Sequence, residues 1–353
     1  MSALTATTAT EFTTAQDAAL AKVRALGAAL DSAFIDRSGE IRALLVALLA
    51  EEHLLLLGPP GTAKSALVQT FAKALGGRYF QRLLTKFSLP KEVFGPTSIK
   101  ALREDRSEFS TDGYLPTADV AFVDECFKAN SAILNALLTI LNERGFDNGT
   151  RREACPLKVC VGASNELPNN EEGDSLDALY DRFVLRRWVE PLKCRESRRR
   201  LLRMKGAPSV AVRLDDETLS AARRAVDLVE LSEAAEDAFL DLVDALASEC
   251  GIEVTDRRAR KSMKLLRAYA ALQGRTEVVP EDLEILADSL WNAPEERAPV
   301  MGQIMKVSNP AKAEAAKVYD AAVEAFSALD LSTVSLRSVA KFSGTLSTLK
   351  EMR

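Results

Sequence analysis

Apolar residues recur with a helical period at Ala19, Leu20, Val23, Leu26 and Leu30, and again at Ile41, Leu44, Leu45, Leu48 and Leu49. Each set lays an apolar stripe along one helix, the first over residues 15–30 and the second opening at Ser38-Gly39-Glu40. The pattern then changes. Leu54-Leu55-Leu56-Leu57 is a continuous apolar run, which predicts a short strand buried on both faces. Residues 120–123 and 157–162 repeat that signature, and 78–84 and 183–189 read as further strands. Helical patterns fill the gaps at 66–75 and 133–141. Strands alternating with helices predict an α/β fold, a parallel sheet with helices on both faces.

Between residues 85 and 120 turn signals dominate, and 98–102 is expected to pair with 108–110 as a short hairpin around 103–106. Asn148-Gly149 signals a second hairpin. From Arg195 onward strand signals fade, and alanine- and leucine-rich helical patterns run to Trp291. Pro294 and Pro299 mark a break before helical stretches at 311–329 and 336–349. The expected organisation is a disordered lead-in over 1–14, an α/β core over 15–194, an all-α domain over 195–292 and a helical C-terminal extension over 293–353.

The leucine run feeds directly into Gly58-Pro59-Pro60-Gly61-Thr62-Ala63-Lys64-Ser65, and Ala66 continues into a helix. Strand, glycine-rich loop and helix together are the context of a phosphate-binding P-loop. Loop amides and a helix N-terminus converge there on one concavity, where their partial positive charge suits a polyphosphate. Lys64 would reach the outer phosphates and the Ser65 hydroxyl would ligate Mg²⁺. Ala63 stands where the strict pattern has glycine, so the segment alone points to a P-loop with a tight turn before a helix as the lesser alternative.

Composition narrows the class. The 353 residues carry 47% hydrophobic and 27% charged side chains, as a water-soluble globular protein does, and allow two domains. A net charge of −5 gives no global footprint for nucleic acid. Five scattered cysteines and a single histidine make a Cys/His zinc site an unsuitable reading, and the thiols suit a reducing, cytoplasmic setting. No stretch reaches the ~20 apolar residues of a membrane span.

Hydrolysis of a bound nucleotide needs more than a P-loop. Asp124, at the end of the strand over 120–123, is placed to hold Mg²⁺, and Glu125 beside it to polarise a water. Asn165, closing the next strand, would hold that water against Glu125, although a turn asparagine is the bland alternative. Arg182 in Tyr180-Asp181-Arg182-Phe183 could complete a neighbour's site or merely pair with Asp181. Thr255 or Asp256 would cap a helix whose first turn holds Arg257 and Arg258, against the helix dipole. That places either arginine for an external anion, or both on a solvated basic face.

These segments resemble AAA+ ATPases of the MoxR family, in wording closest to its RavA-type branch. The resemblance rests on the P-loop, Phe122-Val123-Asp124-Glu125, Ala163-Ser164-Asn165-Glu166-Leu167-Pro168 and Leu179-Tyr180-Asp181-Arg182-Phe183. It is strengthened by the segments at 86–96 and 133–144, and Ala63 is usual in the family's loop. The resemblance implies Lys64 and Ser65 as the Walker A pair, Asp124 and Glu125 as Walker B, and Asn165 as sensor 1. It makes Arg182 an arginine finger acting in trans and Arg257 or Arg258 sensor 2, with Thr255 and Asp256 in place of the family's Ser and Pro. The all-α domain becomes the lid, and residues 98–110 and 145–153 fall where this clade carries its pore-lining or client-contacting insertions.

It further implies a homo-hexameric ring that uses ATP and Mg²⁺ to remodel a protein client, beside a protein with a von Willebrand factor A domain. RavA's β-rich C-terminal module has no counterpart in the helical pattern of the last residues, so the partners that use it are not carried over. Two other motors share the motifs: the motor subunit of a magnesium-chelatase-like complex, and a nucleic-acid motor. The second draws on residues 182–205, where ten basic residues face only Glu190 and Glu196. A nucleotide-dependent switch with negligible turnover is the remaining class, and no missing catalytic residue points to it.

Overall fold

The computed structural model describes residues 11–168 and 174–309. The expected disorder at 1–14 falls outside them up to residue 10, as do the helical stretches expected at 311–329 and 336–349. Helix α1 (Thr14–Ala33) starts in a capping box, in which Thr13 Oγ1 accepts from the Gln16 amide and Gln16 Oε1 accepts from the Thr13 amide. Helix α2 (Ser38–Ala50) is buried almost all round, and Glu51 in the left-handed conformation ends it.

Strand β1 (Leu54–Leu57) is fully buried and lies inside a five-stranded parallel sheet of order β2-β3-β6-β1-β7. Its companions are β2 (Tyr79–Leu83), β3 (Val120–Asp124), β6 (Val159–Ser164) and β7 (Leu185–Trp188). Around them run α3 (Lys64–Leu75), α6 (Ser131–Glu143) and α7 (Asp174–Arg182), and helices cover both faces. Side chains from β1, β3 and β6 join one continuous apolar core with α1, α2, α3 and α6. That core fixes the C-terminal ends of the strands as one edge, where an open α/β sheet binds its ligands.

A hairpin forms from β4 (Gly145–Asn148) and β5 (Arg151–Ala154), with Asn148 opposite Arg151, so Gly149 and Thr150 make the turn. The other expected hairpin, at 98–110, is not what forms. After α4 (Pro90–Phe94), Ser98 Oγ accepts from the Ala101 amide and caps a helical turn, α5 (Ile99–Leu102), leaving a single bridge between Thr97 and Phe109. The competing principle is the serine cap, which offers local bonds where strand pairing would need distant ones. The two protrusions dock together. Asn148 accepts from the Phe109 amide at 2.6 Å and donates to its carbonyl at 3.0 Å, and Phe94 stacks on Phe146.

The rest is helical: α8 (Arg195–Arg203), α9 (Asp216–Asp227), α10 (Glu233–Cys250), α11 (Asp256–Leu272) and α12 (Arg297–Ser308), with a minimal parallel pair β8 (Glu230–Leu231) and β9 (Glu277–Val278). Trp291, fully buried, belongs to the same continuous apolar core as the sheet.

Candidate active site

Register brings the site together before any side chain is considered. Leu57 pairs with Ser164 and Asp124 with Ala163, so β1, β3 and β6 end side by side. The chain leaves β1 through Gly58 at φ +138°, where a Cβ would lie 2.3 Å from the Val189 carbonyl oxygen. Only glycine fits that approach. Gly61 (φ +78°) and Ala63 (φ +66°) also take left-handed backbone, Ala63 immediately before α3. Ala63 therefore adopts the conformation that the strict motif reserves for glycine, at a cost of about 1 kcal/mol. Arg37, buried, ties the loop down by donating to the carbonyls of Thr62 at 3.1 Å and Glu190 at 3.1 Å. Nothing in the sequence pattern marked Arg37, because its role comes from a turn whose shape only the fold sets.

Pro60 through Ala66, Asp124, Glu125 and Asn165 line one cavity of about 390 Å³. The Lys64 ammonium donates to the Gly58 carbonyl at 2.6 Å and the Pro59 carbonyl at 3.0 Å, within the loop it serves. Burial pushes its pKa down, and Asp124 and Glu125 pull it back up. Burial pushes the Asp124 carboxyl above its usual range, while the Glu125 amide, donating at 3.1 Å, opposes the shift. Glu125 sits at φ +51°, a left-handed kink that turns the chain at the strand end. Asn165 Nδ2 donates to Glu125 Oε1 at 2.7 Å, and Lys128 Nζ lies 3.0 Å from Oε2. The pairing with Lys128 escaped the sequence reading, although its i,i+3 spacing on the 3-10 turn Cys126–Lys128 was a usable signal.

Ammonium, loop amides and a helix N-terminus suit a polyphosphate, and the hydroxyl of Ser65 with the carboxylate of Asp124 is the hard oxygen set that Mg²⁺ prefers. Beside this polar cavity lies an apolar one of about 540 Å³, sharing Pro60 to Ala63 and walled by Phe34, Ile35, Leu192, Leu201 and Met204. Its shape and lining suit a flat base. The residues come from three distant segments, so no local motif announced them.

Residues 21–221 match the profile of the MoxR domain in the MoxR-vWA-beta-propeller ternary systems, and residues 236–304 match an AAA lid domain. This chain belongs to the MoxR family of AAA+ ATPases. An uncharacterized protein of Methanocaldococcus jannaschii is 42% identical over 79% of this chain and 74% of its own length. Chaperone MoxR1 of Mycobacterium tuberculosis is 28% identical over 71% of this chain and 69% of its own. The crystal structure of a candidate ATPase from Cytophaga hutchinsonii shares the fold, with a TM-score of 0.68 at 20% identity over 83% of this chain and 96% of that one. Among the described residues, no helix of this MoxR-family chain is long and apolar enough to cross a membrane.

The three arginines singled out in the sequence do not line the P-loop cavity. They gather elsewhere on this MoxR-family chain, around one carboxylate. Arg257 Nη1 lies 2.7 Å from Asp181, Arg258 Nη2 3.6 Å and Arg182 Nη1 3.8 Å. Arg182, which closes α7, has its pKa lowered by burial and then by Arg257. Its Nε, and Nη2 of Arg257, are buried without a hydrogen-bond partner. Thr255 caps α11, its Oγ1 accepting from the Arg258 amide at 3.3 Å, and Arg258 also donates to Asn292 Oδ1 at 2.8 Å. Below them Arg186, fully buried, donates to the Trp291 carbonyl at 2.7 Å and stacks over Tyr180 at 3.9 Å. Burial pushes Arg186 down to about 10. In the sequence Arg186 is one charge among the ten of residues 182–205; in the fold it fixes the floor under the cluster.

Proposed function

We propose that this chain is a magnesium-dependent ATPase that works as a ring, a homo-hexamer by family resemblance, and remodels or assembles protein clients. The observation that carries the reading is the separation, within one chain, of the P-loop cavity from a surplus of positive charge. Three guanidiniums share the single carboxylate of Asp181, two of them with buried unpaired N–H groups. Such a cluster calls for an anion, and the γ-phosphate held at a neighbour's Lys64 is the anion that the fold family offers.

In that arrangement Lys64 and the loop amides hold the phosphates, Ser65 and Asp124 hold Mg²⁺, and the apolar cavity takes the base. Glu125 accepts the proton of the attacking water while Asn165 fixes the carboxylate's orientation. Mg²⁺ supplies charge neutralisation between the outer phosphates. Arg182, with Arg257 and Arg258, acts on the phosphate of the next copy, so both arginines of α11 are carried as sensor 2 candidates in trans.

The same reading extends outward. A von Willebrand factor A protein as partner is supported by the description of the matched MoxR domain, a RavA-type branch by the wording of residues 86–96 and 133–144, and a cytoplasmic setting by buried free thiols at Cys126, Cys155 and Cys160.

Mixing two inactive chains tests the proposal. Lys64→Ala lacks a working P-loop but keeps its arginines, and Arg182→Ala is the converse. Equal mixtures should recover about a quarter of parental ATP turnover, the share of interfaces with two intact halves in a head-to-tail ring. No recovery above the separate variants would mean that each chain hydrolyses alone.

A further inference from the structure

Helix α8 is almost bare. Of its nine residues only Ser197 is buried. A helix this short has little stability of its own and relies on packing. Its composition makes matters worse. Arg195, Arg199 and Arg203 repeat at four-residue spacing, which sets like charges side by side, and Arg195 in the first turn opposes the helix dipole. Leu202 lies on that same side, 86% exposed, between Arg199 and Arg203.

Helix α10 carries the same pattern with the opposite sign. Glu233, Asp237, Leu240 and Asp241 follow the spacing of Arg195, Arg199, Leu202 and Arg203, and Asp244 extends the row. Leu240 is 55% exposed. Glu233 suits the first turn of a helix, but aspartate is a weak helix former, so Asp237, Asp241 and Asp244 in mid-helix are not placed for helix stability. Among the described residues none of these carboxylates has an ion-pair partner, nor do Arg195 and Arg203; Arg199 reaches only Glu196, at 3.0 Å.

We propose that the Arg195–Arg199–Leu202–Arg203 face of α8 docks on the Glu233–Asp237–Leu240–Asp241 face of α10 in a second copy of this chain. Leucine would meet leucine at the centre, with arginine–carboxylate pairs around it, and each helix would lose the self-repulsion it carries alone. Opposite charge at matching spacing, with a leucine at the same place in each row, is what makes a second copy of this chain the occupant of either face. The other side of α8, through Arg198 and Leu201, walls the apolar cavity beside the P-loop. The inference rests on the ring reading and names a contact that would build it. It also joins assembly to nucleotide binding, since α8 would be pressed between a neighbour and the base cavity.

The test uses the full chain with ATP and Mg²⁺, followed by sedimentation velocity over a concentration series. One variant combines Arg195→Glu, Arg199→Glu and Arg203→Glu; another combines Glu233→Lys, Asp237→Lys and Asp241→Lys. All six positions are exposed, and circular dichroism checks that the helices persist. Each reversal should raise the concentration needed for assembly by about tenfold or more, and an equal mixture or the combined variant should return most of that loss. A parent that assembles while both reversals assemble equally well overturns the docking but leaves the ring standing. Weakening without restoration in the combined variant overturns the charge pairing. A parent that stays monomeric overturns docking and ring together. Unchanged assembly with lost retention of single-stranded RNA by the α8 variant would assign that face to a polyanion and overturn the docking.

Discussion

Asn165 donates a hydrogen bond of 2.7 Å to Glu125 Oε1, and this contact joins the ends of β6 and β3 across the mouth of the P-loop cavity. Glu125 is thereby held from both sides, with Lys128 3.0 Å from the other oxygen. Glu125→Gln keeps the shape and removes the proposed base, so ATP binding should persist while turnover falls roughly 10²–10⁴-fold. Asn165→Ala should lower turnover on the order of 10²-fold by loosening the carboxylate, with little change in nucleotide affinity. Steady-state ATPase rates alongside binding of a fluorescent nucleotide check both. Normal turnover in Glu125→Gln would remove Glu125 from the chemistry.

Gly58 is the point at which the loop cannot accept a side chain. With φ at +138° and the Val189 carbonyl 2.3 Å from a would-be Cβ, Gly58→Ala should lower stability by about 3 kcal/mol and weaken nucleotide binding. Gly61 is also left-handed but has open space around it, so Gly61→Ala should cost less. Chemical denaturation of the two variants, compared with the parent, measures the difference.

His53 is the chain's single histidine and is buried. The Cys160 amide donates to Nδ1 at 3.1 Å, which leaves Nε2–H to donate to the Leu141 carbonyl at 2.9 Å. Burial, then the nearby charge of Arg144, lowers its pKa well below 6.5, with a smaller push from Lys261. The unfolded chain therefore takes up a proton that the folded chain refuses, and His53 removes stability as pH falls below about 6.5, by up to about 1.4 kcal/mol per unit. Glu40 and Asp124, raised by burial, act in the opposite direction nearer their own range. Urea midpoints from pH 8 to pH 5.5 should fall more steeply for the parent than for His53→Gln. The imidazole proton resonances should not titrate while the chain stays folded.

The thiols should separate sharply. Burial raises Cys126 well above its usual value and Cys160 to about 12. Cys194 is exposed, and the amides of Ser197 and Glu196 at the start of α8 lower its pKa. Alkylation at pH 7.5, read by peptide mass, should mark Cys194 at least about tenfold faster than Cys126 or Cys160. Equal rates would mean that the β3–β6 core opens readily.

Much of the sheet was legible because it is written in continuous apolar runs. Four successive leucines bounded by the turn signal at Gly58-Pro59 suit a short strand buried on both faces, where the longer run at 44–49 belongs to a buried helix, and Asp124-Glu125 ends the next strand visibly. The arginines could be named but not placed, since sequence shows Asp181 beside Arg182 and cannot show Arg257 arriving from α11 with a closer contact. Residues 98–110 misled for a local reason: Ser98 is a better cap than a strand residue. Arg37 and the wall of the apolar cavity carry no pattern of their own, because each takes its meaning from a turn or helix set by distant chain, whereas Lys128 is a local i,i+3 partner of Glu125.

The position of β1 within the sheet has a consequence for how the protein is made. Leu54 to Leu57 emerge early from the ribosome, yet their neighbours on either side, β6 and β7, are synthesised far later. Until residue 164 is out, β1 has no neighbour in its sheet, and the leucine run must wait with its apolar surface exposed. Both pairings of β1 close long stretches of chain, about 105 residues to β6 and about 130 to β7, and such non-local contacts make folding slower than local ones would.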